Sequence, residues 1–145
     1  MTFATTRNVV VVVFLSGLLV GCLIFFAAYA HGTISAGDLT TLMTLMLASY
    51  SVHLGVILGG VFGAPNSKSL SEAGGAGVIA TVVSIIWNAL VIGRLILFGL
   101  AVVDVERTDS VDDVSSYVKT VAASGSFLVV GALTFFFATQ AKTKK

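Results

Sequence analysis

The chain has 145 residues, of which 57% are apolar and only 10% charged, and its mean hydropathy is +1.03. A soluble domain averages about 25% charged residues, so this composition excludes an ordinary water-soluble globule and points to a polytopic membrane protein. A net charge of +1 excludes the basic footprint of a nucleic-acid-binding domain.

The first apolar run spans about Val9–Ala30. Within it, Leu19-Val20-Gly21-Cys22 resembles a lipobox, the site where bacterial lipoproteins are lipidated and cut. A signal peptide has an apolar core of roughly 7–15 residues and then stops. Here the run continues through "CLIFFAAYA" to Ala30. At 1.5 Å per residue, ~22 residues cross a hydrocarbon core of roughly 30 Å. The expectation is a retained membrane helix, with Cys22 as a small lipid- or helix-facing residue. A single cysteine builds neither a disulfide framework nor a metal site.

The second span is expected over about Leu39–Gly63, after the polar turn His31–Asp38, with Asp38 as its N-cap. A loop at Ala64–Glu72 carries the breakers Pro65 and Asn66, and Ser69 or Ser71 can cap the third helix. The third span is about Gly77–Val103. An acidic loop, Asp104–Asp113, comes next, and Asp112 or Asp113 can cap a fourth span at about Val114–Ala141. The expected fold class is therefore all-α: one transmembrane domain over residues 1–145, four helices in a compact bundle, and short loops. A membrane barrel needs alternating polar and apolar residues, and "VVVVVFLSGLLVGCLIFF" does not alternate.

Arg7, Lys68, Lys142, Lys144 and Lys145 fall on one side of such a bundle. Arg107 falls on the other, with Lys119 in the outer turns of the fourth helix. The positive-inside rule then places both termini in the cytoplasm of a bacterial inner membrane. The outer acidic loop carries Asp104, Glu106, Asp109, Asp112 and Asp113. Such a loop is either simply solvated or concentrates cations at a pore mouth.

Small residues recur at helical spacing. Gly17 and Gly21 form one stripe, and Gly55, Gly59 and Gly63 another. Such stripes let helix backbones approach closely in lipid, within the bundle or between copies in a homo-oligomer.

Ionisable residues within spans normally face a bundle interior, a water path or each other. Arg94 lies roughly 15 Å from the outer end of the third span, and His53 roughly 22 Å from that of the second. Tyr50 and His53 are neighbours on one face of the second helix, and Asn88 lies near the depth of His53. These residues allow two readings. Tyr50–Arg94 and His53–Asn88 contacts would be polar glue between adjacent helices. Alternatively Tyr50, His53, Asn88, Arg94 and Lys119 line a hydrated path or ligand site. His53 would suit a proton relay but has no cysteine or carboxylate nearby in sequence to share a metal. No catalytic motif, metal site or cofactor signature is present, so an enzyme is not expected. The expected function is a homo-oligomeric pore or channel subunit with a polar path at the second and third helices. The alternative is a non-conducting accessory or assembly subunit of another membrane protein. The partners expected are the lipid bilayer and further copies or another membrane protein, and no nucleic acid.

Overall fold

The computed structural model describes residues 2–63, 74–103 and 110–142. They form four helices: α1 (Phe3–Ala30), α2 (Ala36–Gly63), α3 (Gly74–Val103) and α4 (Val111–Lys142). All four are long and apolar enough to cross a membrane, and they pack into one bundle. The protein is an integral membrane four-helix bundle. The cause is the solvent: hydrocarbon offers no partner for backbone amides, so the chain pairs them within helices even where valine dominates.

Each helix starts three to six residues before its apolar run, because caps lie outside the run. Thr2 caps α1, accepting from the Thr5 N–H at 3.2 Å. The expectation for Asp38 is corrected: Ser35 is the N-cap of α2. The Asp38 N–H donates to Ser35 Oγ at 3.1 Å, and Asp38 Oδ2 accepts from the Ser35 N–H at 3.0 Å. This is a capping box, with serine and the acidic residue three positions apart satisfying each other's amides. The same correction applies to α4. Ser110 caps it, and Asp113 reaches back to the Ser110 N–H at 3.2 Å. The turn from α1 into α2 passes through Gly32 at φ +72°, a left-handed conformation that costs glycine nothing. Ser69 and Ser71 lie outside the described residues.

Viewed down its axis, the bundle is a square. α1 packs on α2 and α3, and α4 packs on the same two helices. Among the described residues the helix axes of α2 and α3 are diagonal, not adjacent. The expectation that they are neighbours is therefore overturned.

The core repeats every eleven residues. Phe3, Phe14 and Phe25 are buried at that spacing on α1. So are Leu42 and His53 on α2, Trp87 and Phe98 on α3, and Val118 and Val129 on α4. An eleven-residue repeat is about 3.67 residues per turn, close to the natural 3.6. Each helix keeps one face inward along its full length without the left-handed supercoil that a heptad imposes.

Candidate functional site

The bundle centre holds a cluster of rings and one carboxamide. Phe14 on α1, Tyr50 and His53 on α2, and Trp87 on α3 are all buried. Phe14 stacks on His53 with centroids 5.0 Å apart and planes 16° apart. Trp87 lies 4.4 Å from His53 and 5.0 Å from Tyr50, centroid to centroid. Phe14 meets Tyr50 edge-on at 6.0 Å. Edge-to-face and offset pairs of this kind add to the burial of the rings themselves.

Tyr50 spans the diagonal. Its hydroxyl donates to Asn88 Oδ1 at 2.9 Å, and Asn88 Nδ2 donates to the Ser84 carbonyl at 3.0 Å. Gly17 on α1 makes this possible. A Cβ there would run into Asn88 Oδ1 and come within 2.7 Å of the Tyr50 hydroxyl. The glycine lets the α2–α3 hydrogen bond close across the bundle.

His53 is satisfied locally. Its Nδ1 lies 2.9 Å from the Ser49 carbonyl. A carbonyl only accepts, so Nδ1 carries the hydrogen, and Nε2 of the neutral ring is an acceptor. Nε2 is buried without a hydrogen-bond partner among the described residues, as are Trp87 Nε1 and Ser84 Oγ.

The pairing thus differs from the sequence expectation. Tyr50 gives its hydrogen to Asn88 rather than to a contact at Arg94, and His53 bonds its own helix rather than Asn88. The reason is position around α3. Its inward stripe runs through Ser84, Trp87, Val91 and Leu95, and Arg94 sits half-buried beside that stripe. Lys119 is exposed on α4, and Asp112 and Asp113 are exposed on its first turn. Asp104, Glu106 and Asp109 lie outside the described residues. Among the described residues no group of three His, Cys, Asp or Glu is placed to hold a metal ion.

The glycine stripes separate. Gly17 and Gly21 are buried at helix contacts, Gly21 against Met46 and Leu95. Gly55 and Gly59 are exposed and meet nothing within 4 Å, so they do not pack this bundle. The surroundings of Gly63 lie outside the described residues. The glycine of that segment that does pack is Gly60, against the Phe137 ring. Helical spacing alone groups Gly55, Gly59 and Gly63; only the neighbours reveal Gly60. α1 runs unbroken through Cys22, which is half-buried.

The exterior of the bundle is uneven. α2 exposes Thr40, Thr41, Thr44 and Ser51, and α4 exposes Ser116, Lys119, Thr120, Ser124 and Thr134. Among the described residues the fully exposed positions of α3 are apolar or glycine, with Thr81 and Arg94 part-exposed, and the middle of α1 adds Ser16. Most of these hydroxyls donate back to their own helix, as Ser51 does to the Ala48 carbonyl and Ser124 to that of Thr120. Their lone pairs remain outward as acceptors. On the apolar half, a groove of about 300 Å³ runs between α1 and α3, with Ser16, Gly17 and Asn88 among its lining.

Compared with known proteins, the chain matches no family model, no curated protein and no solved structure.

Proposed function

We propose that the protein is a homo-oligomeric pore subunit whose polar path runs between copies, along the α2–α4 half of the exterior. The observation that carries this reading is the asymmetry of the outer surface. Exposed hydroxyls gather on α2 and α4, while the fully exposed positions of α3 and of the middle of α1 are, Ser16 apart, apolar or glycine. Outward lone pairs in hydrocarbon gain nothing from lipid and something from water or a partner. Gly55 and Gly59 lie uncovered on the same half, where another helix can approach closely. A path through the interior of one copy has less support. Tyr50, His53, Trp87 and Phe14 fill the centre ring against ring. In this reading the protein sits in a bacterial inner membrane with both termini cytoplasmic, on the distribution of lysine and arginine.

The same asymmetry favours one second reading: a non-conducting assembly subunit, with the α2–α4 half against a different membrane protein. Cysteine labelling together with flux separates the two. In a Cys22→Ser background, Ser51→Cys and Ser124→Cys are treated with a membrane-impermeant thiol reagent, with Ile86→Cys as the lipid-facing control. Labelling at the two serine positions but not at Ile86, with ion flux in proteoliposomes of the purified protein, supports the pore. Silence at all three positions without flux refutes it. Protection of Ser51 and Ser124 in native membranes that is lost on purification supports the assembly subunit.

A further inference from the structure

We infer that the bundle centre is a proton-operated latch: it closes only around a neutral His53, and a proton on Nε2 of that ring holds it loosened. This goes beyond the pore reading and does not depend on copies assembling.

The surroundings of the ring carry the inference. His53 is fully buried. Phe14 covers one face, with centroids 5.0 Å and planes 16° apart, and the Trp87 ring lies 4.4 Å away. Nδ1 gives its hydrogen to the Ser49 carbonyl at 2.9 Å. Nε2 is the one ring nitrogen left to take a proton, and among the described residues it has no hydrogen-bond partner. In the neutral ring Nε2 is an unused acceptor. Protonation turns it into a donor with nothing to receive its hydrogen, on a ring that now carries a charge.

No opposite charge faces it. Among the buried side chains of the four helices, Tyr50 is the one titratable group besides His53, and its hydroxyl is committed to Asn88. Arg7 stands about two turns inward of Phe14. Cys22 and Arg94 stand about two turns outward of Phe14 and Trp87. On α4, where Gly125 lies against Trp87, Tyr117 is about two turns further out and Lys119 is exposed. The carboxylates of the described residues, Asp38, Asp112 and Asp113, sit in the first turns of α2 and α4, at the outer end. The faces of Phe14 and Trp87 attract a cation. They supply neither the counter-charge nor the hydrogen bonds that water gives an ion.

The direction of the response follows from proton counting. The closed centre holds His53 without the second proton, and the loosened centre, where water reaches Nε2, binds it. The state that binds more protons gains population as pH falls. An imidazole in water titrates near about pH 6.5, so the opening constant rises about tenfold between about pH 7.5 and about pH 5.5. Because Nε2 is enclosed in the closed form, the proton arrives after a spontaneous opening and traps it.

His31, exposed in the turn between α1 and α2, is the other histidine of the chain, so His31→Gln leaves His53 as the sole imidazole. The unfolding constant of this variant in detergent micelles is followed by circular dichroism and Trp87 emission from about pH 7.5 to about pH 5.5, above the range in which carboxylates titrate. The expected result is a rise of about tenfold, absent when His53→Leu is added. Nuclear magnetic resonance of the ¹³C-labelled imidazole gives a second readout, which needs no substitution at His53. Its signal in the folded protein should keep one chemical shift over the same range, while the unfolded protein titrates. An unfolding constant independent of pH, or an equal rise with and without His53, would overturn the latch. So would an imidazole signal that titrates in place while the bundle stays folded.

Discussion

Gly17→Ala adds one methyl group at the point where three helices meet. The new Cβ runs into Asn88 Oδ1 and lies 2.7 Å from the Tyr50 hydroxyl, so it strikes both ends of the same buried hydrogen bond. Both side chains are held where they are. Tyr50 is wedged between Phe14 and Trp87, and Asn88 is anchored to the Ser84 carbonyl. Overpacking of a close-packed interior costs about 1–3 kcal/mol. Loss of the bond costs about 1 kcal/mol and leaves a buried oxygen unpaired. Alanine returns up to about 1 kcal/mol through its better helix propensity. The net expectation is a destabilisation of about 2–3 kcal/mol. Gly55→Ala is the matched control, since nothing lies within 4 Å of its Cβ, and it should be neutral or stabilising by up to about 1 kcal/mol. Unfolding in detergent micelles, followed by circular dichroism and Trp87 emission, measures the difference. Adding Tyr50→Phe to Gly17→Ala should recover part of the loss, because the crowded hydroxyl is gone. Equal stability of Gly17→Ala and Gly55→Ala, to within about 0.5 kcal/mol, would refute the reasoning.

Neighbouring geometry sets three further outcomes. Gly60→Ala should cost more than Gly21→Ala, about 2 against under about 1 kcal/mol. The first meets the Phe137 ring, held by Phe3 and Phe136, while the second meets chiefly the flexible end of Met46; the same unfolding assay ranks them. His53→Leu should change stability by less than about 1 kcal/mol, because it removes an unpartnered buried acceptor along with a local bond. A loss well above 2 kcal/mol would contradict this reasoning. Ser35→Ala opens the capping box and should cost about 1 kcal/mol. Faster hydrogen exchange at the Asp38 amide would report it, and unchanged exchange there would contradict the capping role.

The number of helices, their order and their approximate limits were legible in the sequence, because hydrocarbon leaves an apolar run of this length no other way to pair its backbone. The caps were legible in kind but displaced. Ser35 and Ser110 stand three residues before the aspartates that draw the eye, and the box needs both partners. Which face of each helix points inward was not legible from hydropathy, since almost every position is apolar on all sides. The eleven-residue spacing of Phe3, Phe14 and Phe25 was the available signal for α1, and it is written in side-chain size rather than polarity.

Tertiary structure alone decided the rest. Helix length and composition do not say which pairs of helices touch, so the diagonal placement of α2 and α3 appears only once the bundle is built. That placement produces the Tyr50–Asn88 bond across the centre and the need for a bare Cα at Gly17. The fate of the glycines divides in the same way. Gly17 and Gly55 are the same residue type in helices that both cross the membrane, yet one closes the core and the other faces outward. A glycine carries no side chain to mark its direction, so only the atoms packed against it distinguish the two.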